Sequence, residues 1–372
     1  MKANNNYHDM QNKQNILKLR AILETLPPFC QEFFRGISDT TSTRTRLAYA
    51  YDIRVFFEFL HEENPVCAKL DIRDIPIDVL NQVTRQDIEE YLSFISYYEK
   101  DGVEHTNTER GKARKLSSLR SFYNYYFQNE RIVKNTAELV PVPKLHEKAI
   151  IRLDPNEVAI LLDQVEAGTK LTKKELAFHE KTKVRDVALL TLLLGTGIRV
   201  SECVGLDIQD VDFENNGIKI RRKGGYEAVV YFGDEVEQAL RAYLEERRHI
   251  IPSEGHENAL FLSLQNRRIA VRSVENLVKK YASRVTTLKK ITPHKLRSTY
   301  GTTLYRETGD IYLVADVLGH KDVNTTRKHY ATMEDERRRM AAQVVKLRSE
   351  ELPEKDQSAH GEITSEKEKK GN

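Results

Sequence analysis

The stretch ITPHKLRSTYGTTL, residues 291–304, places a proline, a histidine and an arginine at the start of a helical pattern. Thr292 is a good N-cap and Pro293 a good first helical residue, so the sequence predicts a helix that begins at Pro293. Residues three apart share one face of a helix, which brings His294 and Arg297 together. Both lie near the free backbone N–H groups of the first turn, where the helix dipole attracts anions. The stretch therefore predicts an anion site at this helix start.

Size and composition indicate two domains. The chain has 372 residues, more than one domain usually contains, and its 40% hydrophobic residues are enough for real cores. No apolar run reaches membrane-spanning length, and the polar N-terminus MKANNNYHDMQNKQN lacks the apolar stretch of a signal peptide. Three widely spaced cysteines argue against a disulfide framework or a zinc finger. We therefore expect a cytoplasmic protein without a membrane partner.

The charge is unevenly distributed along the chain. The whole chain carries +3, whereas residues 350–372 contain seven acidic and four basic residues, so the rest of the chain carries +6. A mildly basic body is compatible with a polyanionic partner. The tail, residues 350–372, is rich in Ser, Glu and Lys and is predicted to be disordered.

The first part, residues 1–140, is predicted to be all-helical. Apolar residues at helical spacing mark a helix in the additional N-terminal segment 1–40, a long helix from Thr43, and further helices up to residue 130. One of these, RQDIEEYLSFISYYEK, is capped by Thr84, and no convincing strand precedes residue 150. Two prolines flank a valine in LVPVPKLHEKAII, and we predict an interdomain linker at residues 141–151.

The second part, residues 152–349, mixes helices and strands. LDPNEV predicts a strong helix start at Asp154, and KVRDVALLTLLLGTG predicts a core helix. The stretch IKIRRKGGYEAVVYF is typical of a strand, a Gly-Gly turn and a second strand, and NALFLS predicts a short strand. The predicted fold is therefore mainly α with a small β-sheet, an α+β protein.

Four local features of the second part carry reactive side chains. GTGIRVSE puts Arg199 in a glycine-bracketed turn, and RRKGGYE puts Lys223 at the hairpin tip. His294 and Arg297 share the helix start described above, and LGHKDVNTTRKHY supplies His320, directly after a glycine break, and Tyr330. No carboxylate cluster or Cys/His pairing for a metal accompanies them, so neither a metal nor a cofactor is expected.

Such a set can break and remake a phosphodiester. Two arginines neutralise the non-bridging oxygens through charge-assisted hydrogen bonds and stabilise the charge that develops in the transition state. A tyrosine attacks phosphorus when a base such as His294 removes its proton, and Lys223 can protonate the leaving alkoxide. The phosphotyrosyl product conserves the bond energy, so resealing needs only a new hydroxyl.

These residues and their order resemble the tyrosine recombinase family, of the lambda-integrase type. The segment TRTRLAYAYDIRVFFEFL also resembles that family's N-terminal helical DNA-clamping domain, which has a SAM-like core-binding fold. Within the family, GDIYLVADVLGHKDVNTTRKHYA and PKLHEKAII are most similar to Xer recombinases, and particularly to the stand-alone XerS type. The resemblance implies a C-shaped clamp with a mixed α/β catalytic domain that closes around duplex DNA.

The resemblance also implies a role for each catalytic residue. It assigns the two catalytic arginines to Arg199 and Arg297, the hairpin lysine to Lys223, the two histidines to His294 and His320, and the nucleophile to Tyr330. Many family members have Gly-Lys-Gly at the hairpin tip, whereas here Arg222 directly precedes the lysine, so the identity of the general acid stays open at this tip.

Other residues are assigned by pattern. We expect Tyr300, Tyr305 and Tyr312 to be buried on helix faces. Basic residues beside apolar stripes are candidate phosphate contacts, with a solvated helix face as the alternative for any one of them. The candidate DNA-binding residues are Arg44, Arg46, Lys112, Arg114, Lys115, Arg120 and Arg222.

The resemblance implies a site-specific recombinase that resolves chromosome dimers at a short, roughly palindromic, dif-like site. Its expected partners are duplex DNA, three further copies of the chain in a homotetramer on two sites, and a septal DNA translocase as regulator. The segment DERRRMAAQVVKLR is expected to form a helix that docks into a neighbouring protomer. Three alternatives remain open: an integrase of a mobile element, a type IB topoisomerase, and a DNA-binding regulator that does not cut.

Overall fold

The computed structural model describes residues 7–100, 102–145, 151–222 and 225–320. Within these ranges no helix combines the length and the apolar character needed to cross a membrane. Lys223, Tyr330, the segment expected to dock into a neighbouring protomer, and the acidic tail lie outside the described residues, as do residues 146–150 of the predicted linker.

Helices dominate both parts of the described chain. The first part contains α1 (Tyr7–Leu23), α2 (Cys30–Gly36), α3 (Thr43–Glu63), α4 (Val79–Gln82), α5 (Arg85–Phe94), β1 (Tyr97–Lys100), β2 (Val103–Thr106) and α6 (Glu109–Gln128). The second part contains α7 (Pro155–Ala167), α8 (Lys173–His179), α9 (Lys183–Thr196), α10 (Val200–Gly205), β3 (Val211–Asp212), β4 (Gly217–Arg221), β5 (Glu227–Tyr231), α11 (Asp234–Arg248), α12 (Val271–Val285), α13 (Pro293–Thr308) and α14 (Ile311–Leu318).

The first part has its own hydrophobic core, formed by residues between Leu19 and Val140. Helix α3 lies at its centre and packs against α1, α5 and α6. Aromatic rings fill much of this core, and Phe33 and Phe122 meet edge to face with ring centroids 5.2 Å apart. Such pairs stabilise a core beyond the area that they bury.

A two-stranded antiparallel hairpin interrupts the predicted all-helical pattern. β1 and β2 pair from Tyr97 opposite Thr106 to Lys100 opposite Val103, where the sequence predicts the end of a helix and no strand. Helix α5 instead ends at Phe94, and Gly102 adopts a left-handed φ of +71° in the turn. A glycine in this conformation costs little, so the turn can close the hairpin.

The second part has a separate core around the predicted helix α9. Residues between Leu153 and Leu296 form it, and α9 packs against α7, α11 and α13. The predicted helix start at Asp154 is confirmed, because Asp154 and Glu157 form a capping box around Pro155.

The two strands predicted in IKIRRKGGYEAVVYF are also confirmed. β4 pairs with β5, with Ile218 opposite Val230, and β3 adds a third short strand in the order β3-β4-β5. NALFLS forms only isolated bridges, Asp207 with Ala259 and Leu262 with Arg268, instead of the predicted strand.

The first turn of α1 contacts the second part of the chain. The Tyr7 ring lies against Arg268, whose guanidinium carbon is 5.3 Å from the ring centroid, and Tyr7 also packs beside Gly205. Farther along α1, Asn12 Oδ1 accepts a hydrogen bond of 2.7 Å from the hydroxyl of Thr43, which lies at the start of α3. Helix α1 therefore contacts both hydrophobic cores.

Candidate active site

The end of α14 is the frame around which the candidate site is built. Gly319 takes a left-handed φ of +61°, and the backbone N–H of His320 donates to the carbonyl of Ala315 at 2.9 Å. A 6→1 backbone hydrogen bond of this kind, closed around a glycine in the left-handed conformation, is a Schellman motif. The motif stops the helix and fixes the backbone of His320, which confirms the predicted glycine break before this histidine.

Arg297 reaches the same helix end from α13. Its side chain is buried, donates from Nη1 to the Gly197 carbonyl at 2.6 Å, and donates from Nη2 to the Leu318 carbonyl. Helix α13 begins at Pro293 with Thr292 as N-cap, as the sequence predicts, although the Thr292 side chain makes no capping bond. A buried guanidinium held by carbonyls on two separate segments is fixed in position.

Arg199 reaches the same helix end from the start of α10. Its Nη2 donates to the Gly319 carbonyl at 3.3 Å, and its Nη1 pairs with Glu202 Oε1 at 2.8 Å. Glu202 Oε2 also accepts from the Arg199 backbone N–H at 2.7 Å, so the carboxylate holds both ends of the arginine. The Glu202 side chain is only 3% exposed, whereas that of Arg199 is 35% exposed and can still meet a ligand.

Glu202 was not among the residues predicted to form the site. The signal was present, because an arginine and a glutamate three residues apart at a helix start can form a reciprocal cap. A carboxylate that fixes an arginine also lowers the net positive charge of the site.

A third arginine completes a row of donors along the α14 terminus. Arg222, a predicted DNA contact, donates to the carbonyls of Asp316 at 3.2 Å and Val317 at 2.9 Å. Four successive carbonyls, from residue 316 to residue 319, therefore accept from arginine side chains. The last carbonyls of a helix carry the negative end of its dipole, so this terminus attracts guanidinium groups.

The remaining candidate residues are placed to different degrees. His294 is exposed on the first turn of α13, one turn before Arg297, and His320 is half-buried directly after the Schellman glycine. The structure thus brings Arg199, Arg297 and His320 to one place, with His294 on the same helix as Arg297. No group of three or more metal-ligating side chains occurs within the part of the chain that the structure describes.

Three tyrosines near the site were predicted to be buried. Tyr305 is buried and Tyr300 half-buried in a small cluster with α14, which agrees with that prediction. Burial raises the pKa of the Tyr300 phenol, which makes it a poor nucleophile. The prediction is wrong for Tyr312, which is 71% exposed because its position on α14 faces away from the cluster.

Two of the candidate DNA contacts on α6 bind a buried carboxylate instead. Lys115 is buried and its Nζ lies 3.1 Å from Asp52 Oδ1. Arg114 holds the same carboxylate through both terminal nitrogens, with Nη2 2.7 Å from Oδ1, although its side chain is 52% exposed. Lys115 therefore ties α6 to α3 and presents no ammonium at the surface.

Arg120 also makes intramolecular bonds. It donates to the carbonyls of Ala137 at 3.3 Å and Val140 at 2.6 Å, where the first part leads into the linker. Among the other candidates, Arg44 is exposed and Arg46 and Lys112 are half-buried. Fewer of the candidate residues are therefore available to contact phosphate than the sequence predicts.

Two family models match the chain, one to each part. The model described as phage integrase, N-terminal SAM-like domain, matches residues 30–130, and the model described as phage integrase family matches residues 152–337. The second match covers Arg199, His294, Arg297 and His320.

Similar proteins include two Xer recombinases. Tyrosine recombinase XerC of Caldanaerobacter subterraneus subsp. tengcongensis is 34% identical over 314 residues, which are 81% of this chain and 82% of that protein. Tyrosine recombinase XerS of Streptococcus agalactiae serotype III is 30% identical over 348 residues, 86% of this chain and 96% of that protein.

Similar solved structures share the fold. The XerH site-specific recombinase, in a post-cleavage complex with its palindromic difH substrate, aligns with a TM-score of 0.62 and 20% identity over 82% of this chain and 81% of that one. The Tn1549 transposon integrase in complex with circular intermediate DNA aligns with a TM-score of 0.59 and 22% identity, over 84% and 98%. With the paired arginines at the end of α14 and both family matches, this chain belongs to the tyrosine recombinase (phage integrase) family, enzymes that cleave and rejoin DNA.

Proposed function

We propose that this protein recombines DNA at a short inverted-repeat, dif-like site and thereby resolves chromosome dimers. It acts as a homotetramer on two such sites, and a septal DNA translocase regulates it. The similarity to XerC and XerS over more than four fifths of the chain supports this role, together with the fold shared with XerH, which was solved on a difH substrate.

In the proposed reaction Arg199 and Arg297 hold the non-bridging oxygens of the scissile phosphate. The Tyr330 phenol oxygen attacks phosphorus and passes its proton to His294. The bond from phosphorus to the 5′ oxygen breaks, and Lys223 protonates that oxygen as it leaves. A 3′-phosphotyrosyl enzyme and a free 5′ hydroxyl result, and attack by a hydroxyl of the partner strand reverses the step.

One observation carries this assignment: Arg199 and Arg297 donate to the adjacent carbonyls of Gly319 and Leu318. Arginines from two separate helix starts therefore converge on one helix end, where neighbouring oxygens already accept their hydrogen bonds. Guanidinium groups fixed in this way do not have to reorganise before they stabilise the charge that develops on the phosphate oxygens. Such preorganised stabilisation usually accounts for a large part of catalysis. His320, which follows Gly319 directly, can add a donor to the same phosphate.

Of the candidate DNA-contacting residues, we retain Arg44, Arg46 and Lys112 as phosphate contacts. Their side chains are exposed or half-buried. Arg44 and Arg46 lie in the first turn of α3, and Lys112 lies near the start of α6. Such contacts position a protein on a duplex and make its affinity fall with salt.

The experiment is to trap the covalent intermediate. Nicked suicide duplexes from the host chromosome are incubated with the protein, and any protein–DNA adduct is mapped on both partners. We expect the adduct at Tyr330, unchanged by a chelator, and we expect Tyr330→Phe to bind DNA nearly as well while forming no adduct. An adduct on another residue, or full cleavage by Tyr330→Phe, would refute the assignment.

The trapped sequence also tests the biological role. A single chromosomal inverted repeat supports dimer resolution, whereas trapping at the ends of a mobile element would assign the protein to that element instead. Relaxation of supercoiled DNA that lacks any specific site would indicate a topoisomerase.

A further inference from the structure

The hairpin β4–β5 carries at its tip the residue to which we assign proton donation. The last strand pair before the tip is Arg221 with Glu227, and the backbone N–H of Arg222 donates to the carbonyl of Tyr226 at 2.7 Å. Lys223 follows immediately. Arg222 is thus the residue directly before Lys223 whose backbone is still held by a hydrogen bond across the hairpin.

The Arg222 side chain leaves the hairpin and spans to α14. Its two terminal nitrogens donate to the carbonyls of Asp316 and Val317, which lie more than ninety residues later in the chain. The guanidinium also lies directly over Gly319, where an added Cβ would come within 2.1 Å of Nη1. The absence of a side chain at Gly319 therefore lets the guanidinium approach the helix end.

We propose that Arg222 is a positioning residue that fastens the hairpin carrying Lys223 to the end of α14. This inference rests on the proposed function, since it concerns the delivery of the leaving-group proton. The next two carbonyls along α14 accept from Arg297 and Arg199, so Arg222 ties the proton donor to the frame that holds both phosphate-binding arginines. Proton transfer needs donor and leaving oxygen within hydrogen-bond reach, and a loose hairpin would meet that condition less often.

The chemistry of arginine suits this link. A planar guanidinium can donate to two neighbouring carbonyls at once, whereas a lysine ammonium acts as a point charge on a flexible stem. The helix terminus adds the attraction of its negative end, which falls off within the last turn. A direct phosphate contact by Arg222 is the competing role, and the experiment separates the two.

The test compares two suicide duplexes that carry the mapped cleavage site and differ in one atom. In one duplex the bridging 5′ atom of the scissile phosphate is oxygen, and in the other it is sulfur. A thiolate leaves without a proton because the pKa of a thiol, about 8.5, lies far below that of an alcohol. A defect in proton delivery therefore slows the oxygen substrate and spares the sulfur substrate, whereas a defect in folding or phosphate binding slows both.

We expect Arg222→Met to slow cleavage of the oxygen substrate by roughly tenfold to a hundredfold at saturating enzyme. This loss is at or below the lower end of the roughly 10²–10⁴-fold that a general acid contributes, because the acid itself is still present. Most of that loss should vanish with the sulfur substrate. Arg222→Lys should fall between Arg222→Met and the unaltered protein, because one ammonium cannot bridge both carbonyls in the same way.

The matched control is Arg221→Met, which removes the same charge one residue earlier and should cleave both substrates at the unaltered rate. Thermal unfolding of each variant checks that its fold is intact. Equal slowing of both substrates by Arg222→Met would overturn the positioning role. If Lys223→Met is rescued by sulfur and Arg222→Met is not, only the positioning role fails. If Lys223→Met is itself not rescued, the acid assignment fails and the positioning role with it.

Discussion

Removing the buried carboxylate of Asp52 should destabilise the first part of the protein strongly. Asp52 on α3 accepts from Arg114, Lys115 and Ser118 of α6, and its side chain is 1% exposed. The variant Asp52→Leu fills similar space but leaves the Lys115 ammonium, 8% exposed, without its counterion.

The cost follows from the charge left behind. Breaking a buried ion pair by removing one partner costs about 3–5 kcal/mol, because the other charge stays desolvated. Arg114 is half-exposed and can turn to water, and the Ser118 hydroxyl also lies 3.2 Å from the Arg114 carbonyl, so Lys115 dominates the loss. With a urea slope of about 2 kcal/mol/M, the unfolding midpoint of this part should fall by roughly 1.5–2.5 M.

The assay is urea unfolding followed by far-UV circular dichroism and tyrosine fluorescence, since the chain contains no tryptophan. The double variant Asp52→Leu/Lys115→Met removes both charges, and it should recover most of the lost stability because replacing a buried pair by apolar groups is often nearly neutral. If the double variant is no more stable than Asp52→Leu alone, an unpaired lysine is not the cause and the reasoning is refuted.

Two further predictions concern other parts of the structure. Gly197→Ala should cost about 1–3 kcal/mol in urea unfolding, because φ is +63° there and the new Cβ would lie 2.4 Å from Tyr300 Cδ1, whereas Gly233→Ala, with nothing within 4 Å, should change little. Equal effects of the two substitutions would contradict this. Burial, and then the charge of Arg221, lowers the pKa of His8 in the folded protein. The packing of α1 should therefore be fully stabilising above the pKa of His8 in the unfolded chain, about 6.5, and should weaken as the pH falls towards and through the lower pKa of the folded protein. Urea unfolding near pH 7.5 and 5.5 should show a loss that His8→Gln lacks, and an identical pH dependence in both proteins would exclude this role for His8.

Local signals in the sequence predicted the local features of the site. The Thr292-Pro293 pair marks the start of α13, and the glycines before Arg199 and His320 mark the breaks at which these residues lie. The hairpin at residues 97–106 also had a signal, Asp101-Gly102 after two tyrosines, and it was outweighed by the helical spacing before it.

Long-range partners could not be read from the sequence. Lys115 was predicted to contact phosphate or to lie on a solvated helix face, because it is a basic residue beside an apolar stripe. Lysine is almost never fully buried unless it is paired, and only the carboxylate of Asp52, 63 residues earlier, explains its burial. The role of Arg222 depends on backbone carbonyls of α14, and every residue type presents the same carbonyl. The order of side chains along the sequence therefore cannot show which backbone carbonyls accept the hydrogen bonds of Arg222.

The contacts of α1 bear on how the enzyme can be dissected. A fragment beginning at residue 152 would lose Tyr7 and uncover the surface around Gly205 and Arg268, and a fragment ending at residue 140 would leave Tyr7 with nothing to pack on. Each half produced separately would thus expose a surface that is buried in the intact chain and that would favour aggregation. A purification tag fused before Tyr7 would lie close to the contact between the two parts.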